Sequence, residues 1–269
     1  MITRAALEEL YARLNRREYV HPDPLEVLYD YEDPTDREVV GLVAASLAYG
    51  RVRSILNSVH RVLERMPSPR RFVTETTAEE MRATFADFKH RFATGEQLAA
   101  MLLGIGSAIQ RHGSLQACFR AGLRHEHESV VPALTAFVAE LRLAAGGKDD
   151  HLLPRPERGS ACKRLNLFLR WMVRRDAVDP GGWDGVPPAK LIVPLDVHMH
   201  RICRALGLTR REAADLRTAV EVTDAFKAFA PDDPVRYDFA LTRLGIRPGP
   251  GADLDAFLAR WAANAAPRR

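Results

Sequence analysis

Cysteine is scarce in this chain, and the three cysteines present lie far apart. Cys118, Cys162 and Cys203 form no Cys-x-x-Cys pair. This arrangement excludes a disulfide scaffold, a zinc finger and a four-cysteine iron–sulfur cluster. We therefore expect a protein of a reducing compartment, the cytoplasm, that needs no cofactor.

Long apolar runs are also missing. No stretch approaches the roughly 18 apolar residues that a membrane span needs. The first segment, MITRAALEELYARLNRREYV, has the pattern of a charged amphipathic helix and not of a signal peptide. The sequence contains no internal repeat and no low-complexity segment. These absences predict a globular protein that has no membrane partner.

Positively charged residues outnumber negatively charged ones only slightly. Lysine and arginine number 39 against 35 acidic residues, and the pI is near 9.1. Such a balance permits a polyanionic partner without requiring one. With 269 residues, of which 46% are hydrophobic, the chain is long enough for one large domain or two interlocked ones.

Apolar residues recur at three- and four-residue intervals along nearly the whole chain, which predicts helices. The first contains Leu7 to Leu14, and the second begins at Asp36 as its N-cap and ends near Gly50, with an apolar centre that predicts a buried helix. The other predicted helices cover residues 53–66, 78–86, 95–111, 115–121, 130–144, 161–176, 197–206, 211–229, 235–244 and 252–263. Only Leu191–Val193 is strand-like, so the predicted fold class is all-α.

Two segments interrupt the helical pattern. Residues 144–160 and 177–190 are rich in glycine, proline and charge, with little periodicity. The helix 161–176 lies between them, and the segment PLDVHMHRICRALGL follows the second. Candidate functional residues in this part of the chain are therefore positioned by the helix 161–176 and by the segment that begins at Pro194.

That last segment carries Asp196, His198 and His200 at alternate positions, which has two interpretations. A strand would deliver the three side chains to a metal, as in metal-dependent hydrolases. Such a site needs further ligands from later strands, yet no histidine follows His200 and the remaining residues are helical in pattern. The alternative makes Asp196 the N-cap of a helix, because Pro194 ends the preceding segment and Gly207 follows the last periodic residue.

A second feature precedes the helix 161–176. Small residues at Gly159, Ser160 and Ala161 lead directly to Lys163, which we place in the first helical turn, and then to Arg164. Free backbone N–H groups at a helix N-terminus can hold a phosphate, and a lysine amine can act as a nucleophile. A solvent-exposed lysine without a function remains the alternative.

Together these segments resemble the helix–hairpin–helix DNA glycosylases of the endonuclease III and 8-oxoguanine glycosylase type. PERGSACKRLNLF is similar to the hairpin that supplies the lysine, with Ala161 in place of its second glycine. PLDVHMHRICRALGL is similar to the element that supplies the aspartate. REVVGLVAASLAYGRV resembles the helix that lines the lesion pocket. The chain also resembles a bacterial family that carries this signature without an assigned activity.

The resemblance implies roles for particular residues. Lys163 and Asp196 would be the catalytic pair, and the DNA contacts would come from Gly159, Ser160, Ala161, Arg164, Arg51, His198 and Arg201. Stacking on a flipped base would involve Tyr49, Trp171 or Trp183, although a lone aromatic residue more often packs in the core. No metal is implied.

The same resemblance implies two interlocked helical subdomains with a cleft between them. The first, 36–190, would be barrel-like and end with the hairpin and the Lys163 helix, and the second, 1–35 with 191–269, would carry Asp196. The expected function is excision of a damaged base, for example an oxidised purine such as 8-oxoguanine, with abasic-site lyase activity. The partner would be double-stranded DNA, bound by a monomer in the nucleoid. A non-catalytic nucleic-acid-binding protein of the same fold is the main alternative, and a metal-dependent hydrolase is a remote one.

Overall fold

Helices make up almost all of the regular structure. The computed structural model describes residues 2–143, 151–244 and 257, and in these residues the fold is all-α, as predicted. The α-helices are α1 (Arg4–Leu14), α2 (Pro34–Ser46), α3 (Val52–Leu63), α4 (Pro69–Glu75), α5 (Ala78–Thr84), α6 (Gly95–His112), α7 (Leu115–Ala121), α8 (Val131–Leu143), α9 (Lys163–Val173), α10 (Val197–Ala205), α11 (Leu216–Lys227) and α12 (Asp238–Arg243). A two-stranded antiparallel hairpin pairs β1 (Lys89–His90) with β2 (Ala93–Thr94), and 3₁₀ segments lie at Arg17–Tyr19, Pro24–Asp30, Pro156–Arg158 and Pro188–Lys190.

The start of α2 differs from the prediction. Its N-cap is Asp33, whose side chain accepts a hydrogen bond from the backbone N–H of Thr35. Pro34 occupies the first helical position, where its missing N–H is not needed. Asp36 instead accepts the backbone N–H of Arg70 at 2.7 Å, at the start of α4, a helix that the sequence pattern did not predict.

Three other predicted boundaries also change. Leu191–Val193 is buried but forms no strand, and the N–H of Val193 donates to the Thr223 hydroxyl at 3.0 Å. Helix α11 begins at Leu216 because Asp215 caps it, and α12 begins only at Asp238. The predicted helix over 252–263 lies outside the described residues, apart from Phe257.

The core surrounds α2, which is buried at every residue from Glu38 to Ser46. This confirms the predicted central helix. Helix α2 packs against α9 and the segment Pro24–Asp30, while α6 packs against α4, α5, α7 and α8. Helix α12 contacts both α1 and α10. No helix among the described residues is both long and apolar enough to cross a membrane.

Buried ion pairs join the C-terminal end of α9 to its surroundings. Arg170 pairs with Asp179 at 3.1 Å and with Asp238 of α12, and Arg174 pairs with Asp179 and, at 3.0 Å, with Asp233. Both arginines are less than a tenth exposed. A charge this deep in the protein is tolerated only when it is paired. The pairs therefore fix α9 relative to α12 and to the loop that follows α9.

Glu38 of α2 is a buried carboxylate with three donors. It accepts the backbone N–H groups of Leu115 and Gln116, at 2.8 and 2.9 Å, and the indole N–H of Trp183 at 2.8 Å. Burial raises the pKa of Glu38, while the three hydrogen bonds favour the charged form. One side chain thus connects α2 to the N-terminus of α7 and to the loop 177–190.

We expect Glu38→Ala to lower the free energy of unfolding by about 3–5 kcal/mol, because three buried donors lose their acceptor and each unmet donor costs about 1–3 kcal/mol. Urea unfolding followed by tryptophan fluorescence measures this change. Glu221→Ala, at an exposed position of α11, is the control and should stay within about 0.5 kcal/mol of the parent chain. Equal stability of the two variants would contradict this role of Glu38.

Candidate active site

Lys163 is the first residue of α9, and an irregular loop leads to it. A 3₁₀ turn at Pro156–Arg158 ends at Gly159, whose φ of +79° is in the left-handed region that favours glycine. Cys162 is the N-cap with φ of +46°, which is uncommon for a residue with a side chain. Because the chain makes this left-handed turn at Cys162, α9 begins at the next residue, Lys163.

Asp196 caps α10, as the second interpretation of the sequence predicted. Its Oδ1 accepts the backbone N–H of Met199 at 2.8 Å, and its carbonyl accepts the N–H of His200 at 2.8 Å. The other carboxylate oxygen, Oδ2, lies 3.4 Å from the Nζ atom of Lys163. The two oxygens therefore have separate tasks, one in the helix cap and one beside the amine.

Lys163 and Asp196 face a common cavity. Their side chains are 31% and 38% exposed, and the cavity has a volume of about 980 Å³. Its wall is formed by the loop between α2 and α3, by Ile55 of α3, by the segment before α9, by the first residues of α9 and α10, and by the two residues that precede α11. A partly exposed amine beside a carboxylate in a cavity of this size can react with a small group that enters from solvent.

Three helix N-termini meet at this cavity. The N-caps Cys162, Asp196 and Asp215, of α9, α10 and α11, all line it. Asp196 and Asp215 cap their helices with carboxylates, whereas Cys162 provides no side-chain cap. An N-terminus without a cap keeps N–H donors and the positive end of the helix dipole for an anion. Asp215 was not among the predicted site residues, although aspartate is a preferred N-cap residue and its side chain accepts the backbone N–H of Thr218.

The loop before α9 is joined to α11. Ser160 and Asp215 form an isolated antiparallel bridge, and the N–H of Leu216 donates to the carbonyl of Gly159 at 2.9 Å. Ala161, which replaces a glycine of the resembled hairpin, is buried, and its carbonyl accepts the Asn166 side chain at 3.0 Å. Ala161 is not among the residues with positive φ. Its methyl group therefore does not prevent the turn.

Cys162 is a second nucleophilic group in the cavity wall. Burial raises the pKa of its thiol to about 11, although a hydrogen bond with Ser160 lowers it slightly. The thiol is therefore protonated at neutral pH, and only the thiolate is a strong nucleophile. Cys162 is also only 3% exposed, whereas the Lys163 side chain is 31% exposed and has a carboxylate 3.4 Å from its amine, so Lys163 is the stronger candidate.

Arg164 and Tyr49 build the wall of the cavity together. The Arg164 guanidinium donates to the carbonyls of Ser46 and His151 and lies 5.0 Å from the centre of the Tyr49 ring. The Tyr49 hydroxyl lies 2.9 Å from both the His90 carbonyl and Nε2 of His151. These contacts position both predicted residues at the cavity, and they direct Arg164 towards carbonyls of the protein.

Trp171 and Trp183, in contrast, do not line the cavity. Trp171 is 1% exposed and Trp183 is 3% exposed. The Trp183 ring packs against Phe119, Phe137 and Phe168 and donates to Glu38. Both were predicted as candidates for stacking on a base, and the structure places both in the core. The sequence pattern did not reveal that the loop 177–190 folds inward.

The remaining predicted residues lie at the edge of the cavity. His198 lines it, and its Nε2 donates to the carbonyl of Leu244 at 3.1 Å, which leaves Nδ1 as the acceptor for Arg201 at 3.4 Å. Arg51 is exposed and follows Gly50, a residue of the cavity wall. Arg158 and Val197 also line the cavity, and the sequence pattern did not single them out.

The metal interpretation of Asp196, His198 and His200 lacks a converging ligand set. His200 is buried, and its Nε2 donates to the carbonyl of Arg211 at 2.9 Å, away from His198. Within the described residues no three His, Cys, Asp or Glu side chains come together as a metal site would require.

Comparison with known proteins gives one family match. The family model described as "Protein of unknown function (DUF2400)" matches residues 23–247, a range that includes Lys163, Asp196 and nearly all of the described helices. No curated protein and no solved structure gives a significant match. The chemistry of the site must therefore be argued from its own geometry.

The two tasks of Asp196 can be separated by stability measurements. Asparagine caps a helix about as well as aspartate, so Asp196→Asn should change the free energy of unfolding by less than about 0.5 kcal/mol, whereas Asp196→Ala should lower it by about 1 kcal/mol. Urea unfolding of both variants measures the difference. If Asp196→Asn is as unstable as Asp196→Ala, the contact with Lys163 and not the cap is what stabilises the fold.

Proposed function

We propose that the chain, which belongs to the DUF2400 family of proteins of unknown function, is a DNA glycosylase with abasic-site lyase activity. The observation that carries this proposal is the approach of Lys163 Nζ to Asp196 Oδ2, 3.4 Å, at the wall of a cavity of about 980 Å³. The resemblance of the two segments to the helix–hairpin–helix glycosylases supports the same function. A glycosylase-like arrangement of two subdomains, 36–190 and 1–35 with 191–269, belongs to this proposal.

The reaction begins with loss of a proton from the Lys163 ammonium, which Asp196 Oδ2 is placed to accept. The neutral amine then forms a bond from Nζ to C1′ of the deoxyribose, while the bond from C1′ to the damaged base breaks and the base takes the proton from Asp196, which becomes a carboxylate again. The Asp196 carboxylate stabilises the positive charge that develops on the sugar. Opening of the sugar ring gives an imine, and loss of a C2′ proton then expels the 3′ phosphate.

The charges around the cavity suit a DNA strand. The N-terminus of α9 offers backbone donors for a phosphate, and Arg158 lines the wall beside it. Arg51, Arg201 and the hairpin at Gly159, Ser160 and Ala161 are the further proposed contacts. Phosphate contacts fix the strand, whereas the cavity admits the extruded nucleotide.

The lesion is proposed from the resemblance alone. An oxidised purine such as 8-oxoguanine is the first candidate, in double-stranded DNA and with a monomeric protein. The side chains of the cavity wall, Tyr49 and His198 among them, would contact the extruded base.

Borohydride trapping tests the amine directly. With an oligonucleotide that contains an abasic site, we expect a covalent adduct after reduction of the imine, because the imine joins Nζ to the sugar. Lysine occurs at only five positions, 89, 148, 163, 190 and 227, so mass spectrometry of the adduct can identify the residue. Lys163→Ala should abolish the adduct, whereas Lys227→Ala, which removes a surface pair with Asp224, should not change it.

A panel of duplexes with oxidised, alkylated and deaminated bases then identifies the lesion. Absence of an adduct on every abasic and damaged duplex, with normal DNA binding by Lys163→Ala, would leave the non-catalytic nucleic-acid-binding protein as the function.

Asp196→Asn tests the second half of the pair. The amide preserves the helix cap but removes the negative charge beside the amine, so we expect the rate of adduct formation to fall by about 10²-fold or more. The folded fraction, measured by circular dichroism, should not change. A rate within about twofold of the parent rate would restrict Asp196 to its structural role.

A further inference from the structure

A second pocket adjoins the candidate active site. It has a volume of about 460 Å³ and is lined by residues from the first turn of α6, from the last turn of α8 and from the segment 151–160. Pro154, Arg158 and Ser160 line both this pocket and the cavity that contains Lys163 and Asp196. The two spaces are therefore neighbours and share part of one wall.

Arginine dominates the lining of this second pocket, which we call the arginine pocket. Its polar lining residues are Gln97, Arg142, His151, Arg155, Arg158 and Ser160. None of the described residues that line it is an aspartate or a glutamate. Glu157 lies beside the pocket, with Oε1 2.7 Å from Nε of Arg155. Among these described residues three guanidinium groups thus accompany one carboxylate, which favours an anionic ligand.

Arg142 is a fixed part of this wall. It is 6% exposed, and its Nη1 donates to the carbonyl of Leu153 at 3.3 Å. A guanidinium has five N–H donors in one plane, so an arginine that bonds a protein carbonyl can also bind an anion. The pKa of Glu157 lies below its usual value, chiefly because of the hydrogen bond with Arg155 and also because of the positive charge of Arg142. The charge of Arg142 therefore acts on the neighbouring side chains.

The lining suits a phosphate that is attached to a larger group. A phosphate monoester has close to two negative charges at pH 7 and three acceptor oxygens, and arginine binds such oxygens in pairs. Leu153 and Pro154 add an apolar part to the wall, against which a sugar can pack. The volume is within the range of roughly 300–1,000 Å³ that is usual for small-molecule sites.

We propose that the arginine pocket binds a phosphate monoester, either that of a free nucleotide or that at the end of a cleaved strand. The second source rests on the proposed function. When loss of the C2′ proton breaks the bond from C3′ to oxygen, the electron pair of that bond stays with the phosphate. The downstream strand then ends in a 5′ phosphate monoester, released beside the arginine pocket.

Titration with small phosphates tests the pocket itself. The probes are inorganic phosphate and deoxyadenosine monophosphate, measured by calorimetry at low salt. Arg155→Gln should weaken the binding of both about tenfold, because a charge-assisted contact to the anion is lost. The matched control is Arg71→Gln on α4, since Arg71 and Arg155 both pair with a glutamate through Nε at 2.7 Å. It should change the affinity by less than about twofold.

Arg142→Lys is a second variant, which keeps the charge but loses the planar fork. It should also weaken both probes, and urea unfolding checks that its fold is intact. Arg155 has a side chain that is 35% exposed, so its substitution is not expected to unfold the protein and decides the test. Affinities that are the same for Arg155→Gln and the parent chain would assign the phosphate to another site, such as the N-terminus of α9, and overturn the inference.

Gapped duplexes distinguish the two sources. A duplex with a one-nucleotide gap should bind about tenfold more tightly when its downstream end carries a 5′ phosphate than when it carries a hydroxyl. Arg155→Gln should reduce this preference to about twofold, and Arg71→Gln should retain it. Binding of the small probes that depends on Arg155, without a preference on the gapped duplex, would identify a free phosphate ester as the ligand.

These titrations do not require the lyase reaction. Absence of an adduct in borohydride trapping would therefore remove the proposed function, whereas binding that is indifferent to Arg155 on every probe would remove only the arginine pocket.

Discussion

The ion pair between Arg170 and Asp238 connects the two sides of the candidate site. Arg170 lies on α9 two turns after Lys163, and Asp238 is the first residue of α12, which packs against the helix that Asp196 caps. Burial raises the pKa of Asp238 to about 6 against the effect of Arg170, and the negative charge of Asp196 contributes to the rise. The 3.4 Å approach of Lys163 to Asp196 thus depends on a buried charge contact at the far end of α9. Loss of Arg170 would remove the cation that compensates the buried Asp238, whereas loss of Asp238 would leave Arg170 with Asp179 as its partner.

Asp196 shows how a structural and a chemical role can coexist in one side chain. A carboxylate at a helix N-terminus is stabilised in its charged form by the dipole and by the capped N–H. The second oxygen of Asp196 is then available to the lysine, 3.4 Å away. A role as a helix cap alone and a role as a catalytic carboxylate therefore require the same geometry of Asp196. What differs between them is whether a substrate enters the cavity.

The sequence predicted those parts of the fold that depend on local signals. Periodicity indicated most helices, and the cap at Asp196 and the glycine at 159 indicated where two of them begin. The spacing of Lys163 and Asp196 acquired meaning only through a resemblance, because periodicity does not tell which helices face each other. The inward position of Trp183 depends on Glu38, 145 residues away along the chain, and no local pattern carries such information. The hairpin at residues 89–94 was missed because strands of two residues are too short to show alternation.

The bridge between Ser160 and Asp215 has a consequence for how the protein would work. It joins the loop before α9 to α11. Arg164, in the first turn of α9, donates hydrogen bonds to the carbonyls of Ser46 and His151. Hinged opening of the walls would break these contacts, so they oppose such opening. In the proposed reaction nearly all of the conformational work would fall on the DNA, and nucleotides would be selected by how easily they leave the helix. Discrimination would then begin with the mechanical weakness of a damaged base pair, before any atom of the base is read.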